Sequence, residues 1–174
     1  MRRLFCVALA LPLLGCNTPI NLVVLCPTGA VLAQAVSVTK LAGGNAPANV
    51  VMTANMAQPR VTCDWEEGNT DVTSNIAFPI AVEAGPAGAN AGPQRLEYFV
   101  AVIDATGRMI TKRNFERFLS PQQGTVTEYV NGTTITLSGE ARPHQFQILA
   151  GFQLTPAELA YNQTRRVLPA TPAP

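Results

Sequence analysis

Charge is scarce in this chain. Asp, Glu, Lys and Arg make up 13% of its 174 residues, 12 basic against 11 acidic, with one histidine, His144. So even a balance offers no basic patch, which excludes DNA and RNA as partners, and too little charge for a solvated disordered chain. Long Leu/Glu/Lys stretches of helical type are missing. There is no Cys-x-x-Cys pair, no Gly-x-Ser-x-Gly elbow, no phosphate-binding Gly-rich loop and no dinucleotide fingerprint. No apolar run reaches the roughly 20 residues of a membrane-spanning helix. What is abundant is apolar residues, at 47%, together with 13 Gly and 14 Pro. That mixture points to short strands joined by many turns.

The first residues carry an address. Met1-Arg2-Arg3 is a short basic start, and Leu4 to Leu14 is an apolar run broken only by Pro12. It has the length of a secretory signal core rather than of a permanent anchor. Leu13-Leu14-Gly15-Cys16 then resembles the lipobox of bacterial lipoproteins, a small residue before an obligatory cysteine. The resemblance implies that residues 1–15 are removed and that Cys16 becomes a lipidated N-terminus. A single acyl chain, at about 0.8 kcal/mol per buried CH₂, holds a protein only marginally, and a second makes attachment durable. Asn17 stands where inner-membrane lipoproteins of enteric bacteria carry Asp, so the resemblance favours the outer membrane. Removal of Arg2 and Arg3 leaves ten basic residues against eleven acidic. The expected location is the cell envelope, with the protein lipid-anchored.

Of four cysteines, Cys6 leaves with the signal and Cys16 is used for lipid. Cys26 and Cys63 remain, an even pair in an oxidising compartment, and are expected to form a disulfide. A redox or metal pair lacks both the spacing and the histidines.

Residues 16–26 read as a tether, 27–163 as a folded domain and 164–174 as a disordered Pro/Ala-rich tail. Within the domain, Val72 to Glu83 places Ile76, Phe78, Ile80 and Val82 at period two, a half-buried strand in which Pro79 predicts an edge position or a bulge. Arg95 to Asp104 is apolar on both faces in its middle and belongs at a sheet centre, with Asp104-Ala105-Thr106-Gly107 as a turn. Asn131-Gly132, between Val126–Val130 and Thr133–Leu137, predicts a type I′ hairpin. Residues 85–94 predict a mobile loop. Thr155-Pro156-Ala157-Glu158 is a helix start with a capping box. Seven or eight short strands and one short C-terminal helix indicate an all-β antiparallel sandwich of immunoglobulin or fibronectin-III type, with a small β-barrel as the alternative.

Tyr98-Phe99-Val100-Ala101-Val102-Ile103-Asp104 and the stretch Gly151 to Asn162, with Cys26-Pro27 near the lipobox, resemble uncharacterised alphaproteobacterial envelope lipoproteins. That resemblance implies export and brings no activity or catalytic residue.

Chemistry is thin. His144 follows Arg142-Pro143 and reads as a solvated loop residue, while Ser37, Ser74, Ser120 and Ser138 lack a nucleophile's setting. Trp65 reads as core. Asp64, Glu66, Glu67, Asn69 and Asp71 form an acidic cluster that offers oxygens to Ca²⁺ without EF-hand spacing. No enzyme activity, cofactor or metal is expected. The reading is a non-enzymatic, membrane-anchored interaction module with an envelope protein as partner. A binder of a small ligand, glycan or Ca²⁺ through residues 64–71 or 85–94 is the alternative.

Overall fold

The computed structural model describes residues 26–66 and 68–167, the last three by backbone only. The expected signal peptide, Cys16, Glu67 and the tail from 168 onward lie outside them. Nine strands follow in order: β1 (Thr28–Val31), β2 (Ser37–Leu41), β3 (Val50–Met56), β4 (Arg60–Asp64), β5 (Asp71–Ala84), β6 (Gln94–Ile103), β7 (Met109–Leu119), β8 (Thr125–Thr136) and β9 (Gln147–Phe152). One helix, α1 (Pro156–Val167), closes the described chain. It runs into the segment read as tail, because its capping box launches it: the Thr155 hydroxyl accepts from the Glu158 amide at 3.2 Å, and the Glu158 carboxylate accepts from the Thr155 amide at 2.8 Å.

The strands form a sandwich of two sheets. One runs β1-β9-β6-β7. In the other, β5 is central: β8 lines one side of it, while β3 and then β4 run in line along the other, with β2 beyond β3. Alternation does the sorting. Val72, Ser74, Ile76, Phe78, Ile80 and Val82 of β5 all point inward, and the residues between them point out. Across the gap they meet Leu96, Tyr98, Val100 and Val102 of β6 with Ile148 and Phe152 of β9. Phe78 and Tyr98 meet edge to face with centroids 5.4 Å apart, the arrangement that aromatic quadrupoles favour. β7 and β8 do not pair with each other, so the body is an open sandwich and the barrel alternative falls.

Several local expectations change. Asn131-Gly132 makes no hairpin. β8 runs straight through it, and the register against β5 slips at Asn75, whose side-chain oxygen accepts the Gly132 amide at 3.1 Å. Gly132 takes φ +67° while Asn131 does not turn left-handed. A type I′ turn needs both, so the pair serves as a bulge. Pro79 lies on the central strand, not an edge. Its carbonyl accepts from Ala57, in the break between β3 and β4, so its missing N–H falls where the neighbouring ladder is interrupted anyway.

β1 pairs with β9 in parallel, the exception to an otherwise antiparallel fold. Residues 85–94 are tied down rather than loose. Gly85 and Ala87 donate to Val51 and Val50, and Gln122 donates to the Gly88 and Ala89 carbonyls.

Candidate interaction surface

An open sandwich has four strand edges, two at each lateral margin, and unpaired edges are adhesive unless covered. Two of the four are closed here. β1 is only four residues long and is stapled to β4 by the Cys26–Cys63 disulfide, with an S–S distance of 2.09 Å and Cα atoms 5.6 Å apart. The expected disulfide is therefore present. Gly29 lets the two strands close up, since a Cβ there would sit 2.9 Å from the Pro59 ring and carbonyl. β2 is covered by α1: Asn162 donates to the Ser37 carbonyl at 2.7 Å, and the Lys40 ammonium meets Glu158 at 2.6 Å.

The remaining margin consists of β7 and β8, stacked one above the other and both open. β7 is 11 residues long and pairs with β6 alone. Along its inner face stand Arg113, Phe115 and Arg117 at period two. The Phe115 ring stacks on Tyr98 at 5.2 Å, and the Arg113 guanidinium lies 5.1 Å from the centroid of the Phe115 ring. Arg117 reaches across the opening to the β8 carboxylate of Glu128, Nε to Oε1 3.0 Å. That contact is ionic, without the alignment of a hydrogen bond. The other Glu128 oxygen accepts from the Tyr98 hydroxyl at 3.2 Å. Burial first, and the Glu128 charge second, hold that phenol above its ordinary range.

On the outer face of β7 are Ile110, Lys112, Asn114, Glu116 and Phe118, with Phe118 58% exposed. Glu116 shares the Arg95 guanidinium with Glu97, at 2.6 and 2.7 Å respectively. Lys112 stands over Phe99 and donates to Gln153. Among the described residues neither Lys112 nor Arg113 has a carboxylate partner, so β7 carries uncompensated positive charge. β8 differs in chemistry. Its outward residues include Thr125, Thr127, Thr134, Thr136 and an exposed Tyr129, and its single carboxylate, Glu128, is turned inward and buried.

A concavity of about 650 Å³ lies between α1 and the outer face of β3 and β5, lined by Asn45, Pro47, Thr53, Glu83, Gly85 and Tyr161. Thr53 and Glu83 continue it into a more polar hollow of about 340 Å³ beside Ser37, Asn55 and Asn162. Hydroxyls, amides and one carboxylate suit a small neutral, hydroxyl-rich ligand.

The other sequence candidates do not assemble. His144 sits exposed in a single 3-10 turn, Pro143–Gln145, with no carboxylate or serine hydrogen-bonded to it. Among the described residues, no three of His, Cys, Asp and Glu come close enough to share a metal ion. Asp71 is engaged by the Thr136 hydroxyl, and Asp64, Glu66 and Asn69 are exposed. Trp65 is half-buried against the core edge and donates to the Asn69 carbonyl at 3.0 Å. Ser74 is fully buried and has no imidazole near it; its hydroxyl and that of its cross-strand neighbour Thr133 both lack partners. The β7 row follows the Asp104–Gly107 turn and carries no motif that singles it out in the sequence. Charges on both faces of one strand, Lys112 and Glu116 against Arg113 and Arg117, are the signal of an edge.

The sequence matches no protein-family model and no curated protein. Among solved structures it is similar to the variable domain of the Streptococcus agalactiae AgI/II polypeptide BspA, at 15% identity and a TM-score of 0.23, covering 67% of this chain and 72% of that one. A likeness so low carries no argument, and the sandwich described above stands on its own strand pairing.

Proposed function

We propose that the protein is a lipid-anchored bacterial envelope lipoprotein, non-enzymatic, whose sandwich acts as an interaction module for an envelope protein partner, the outer membrane being the favoured site of attachment. One observation carries this reading: Leu13-Leu14-Gly15-Cys16 stands ten residues ahead of Cys26, the half-cystine that staples β1 to β4, and the sandwich so tethered keeps one margin open. The signal core, the balanced charge and the scattered titratable groups support it. In this reading two acyl chains on Cys16 hold the body at a membrane. The disulfide makes the tether end in the sandwich itself, and the β7/β8 margin faces the partner.

Intact-mass measurement of protein extracted from its native membrane tests the anchor. The expected species begins at Cys16, carries acyl groups there, and lacks the two thiol hydrogens of Cys26 and Cys63. An unmodified Cys16 with the leader still attached overturns the reading. Detergent extraction and affinity purification from the native host should then recover a stoichiometric envelope protein.

The polar hollow beside α1 favours a second reading, a binder of a small hydroxyl-rich ligand such as a cell-wall saccharide. Calorimetric titration with cell-wall fragments distinguishes it, and a flat titration rejects it.

A further inference from the structure

Of the two open edges, β7 is the one whose chemistry selects a partner. Its inner face presents Arg113, Phe115 and Arg117 in a row, its outer face presents Lys112 and Phe118, and its single carboxylate, Glu116, lies on the outer face and shares the Arg95 guanidinium with Glu97. Charges on an edge strand guard against indiscriminate pairing. Here they guard first against a second copy. Two β7 edges paired antiparallel about Phe115 would set Arg113 of each against Arg117 of the other, and like charges directly opposite are unfavourable. The same row is attractive to carboxylates. Arg117 demonstrates the preference within the fold, reaching Glu128 at 3.0 Å, whereas the Arg113 guanidinium lies 5.1 Å from the Phe115 ring and has no carboxylate partner among the described residues.

We propose that the free edge of β7 takes an extended acidic segment of a partner polypeptide as an added strand, its carboxylates meeting Arg113 and Arg117 and an apolar side chain covering Phe115. The proposal rests on the interaction-module reading and gives it a place and a partner chemistry. Backbone hydrogen bonds supply affinity that is blind to sequence, and the alternating side chains supply selection. The required pattern is acidic, any, apolar, any, acidic, because residues two apart share a face.

The test uses the lipidated mature protein in detergent micelles, with a labelled peptide of the pattern Glu-Thr-Val-Thr-Glu. The controls are the same peptide with Lys for Glu and the same peptide N-methylated at alternate amides. Binding is read by fluorescence anisotropy and located by amide hydrogen exchange. The expected result is that only the unmethylated acidic peptide binds and that it protects residues 109–119. Raising the salt should weaken it, since the charges are exposed. Arg113→Glu should weaken it by about fivefold, the scale of one cross-strand charge pair, and should bring in the Lys peptide. Equal binding of the Lys peptide, indifference to methylation, protection of β8 instead of β7, or no binding at all overturns the proposal. In that event a partner recovered through another surface would leave the tethered-module reading standing, while an unlipidated Cys16 would remove that reading independently.

Discussion

The Tyr98 hydroxyl of β6 donates to the Glu128 carboxylate of β8 at 3.2 Å, a hydrogen bond that crosses from one sheet to the other at the open side of the sandwich. No backbone ladder joins the sheets there, because β7 and β8 do not pair. The contact ties the β8 edge to the interior of the opposite sheet, beside the Arg117–Glu128 ion pair that spans the two edges. Phe78 and Phe115 hold the Tyr98 ring in place, edge-on and stacked respectively.

Tyr98→Phe keeps the ring packing and removes only the hydroxyl. Glu128, 8% exposed, then loses one of its two partners. Hydrogen bonds to charged groups contribute roughly 1.5–3 kcal/mol, so a loss of about 2 kcal/mol is expected in urea unfolding. Arg117→Ala should cost less, since that guanidinium is 55% exposed and its contribution is screened by solvent. A Tyr98→Phe protein as stable as the wild type would show that the inter-sheet bond carries no weight.

Reduction of Cys26–Cys63 frees 37 residues of chain separation in the unfolded state. The chain-entropy account puts the loss at roughly 3–4 kcal/mol. Guanidinium midpoints measured with and without reductant should differ accordingly, and Cys26→Ser/Cys63→Ser should match the reduced protein. Because the staple holds β1, amide exchange on reduction should rise first at residues 28–31.

Glu158 links the helix to the sandwich edge. Burial raises its pKa, but hydrogen bonds from Lys40 and from the Thr155 amide outweigh burial and hold it below the ordinary carboxylate value. The group's contribution is thus present above its unfolded pKa and is lost as pH falls through the lower folded value. Acidification below the usual carboxylate range should release α1 from β2 before the sheets unfold, seen as lost helical circular dichroism. Glu158→Gln should abolish that step. Glu158→Ala, which also removes the capping box, should cost about 1 kcal/mol.

Asp104 shapes the β6–β7 turn. The Thr106 hydroxyl and the Thr106 and Arg108 amides donate to its carboxylate, which brings its pKa down to about 2. Its folded value lies under its unfolded one, so the turn should hold at neutral pH and loosen only as pH falls toward about 2. Asp104→Ala should show fast exchange at residues 104–108 already at neutral pH.

Gly29→Ala tests the close approach of β1 to the β3–β4 break. Neither Pro59 ring nor backbone has room for the methyl group, and overpacking costs typically 1–3 kcal/mol. Thermal unfolding should shift downward by several degrees. An unchanged midpoint would show that the break can open at no cost.

Residue pattern alone determined much of this protein. The period-two rows of β5, the doubly apolar middle of β6, the Asp104 turn, the capping box and the Cys26–Cys63 pair are local or arithmetic features, and each appears in the fold where the pattern puts it. Local steric and hydrophobic preferences act over a few residues, so a sequence displays them directly. Tertiary structure alone decided what neighbours what. Asn131-Gly132 became a bulge because β5 offered Asn75 opposite it, and Pro79 sits mid-sheet because the chain breaks across from it at residues 57–59. Residues 85–94 are pinned because Val50, Val51 and Gln122 come from elsewhere to hold them. Which strand edges stay uncovered depends on strand order, a sum of distant pairings. No short window of residues contains that sum, and so the exposed cations of β7 acquire their meaning only in the folded sandwich.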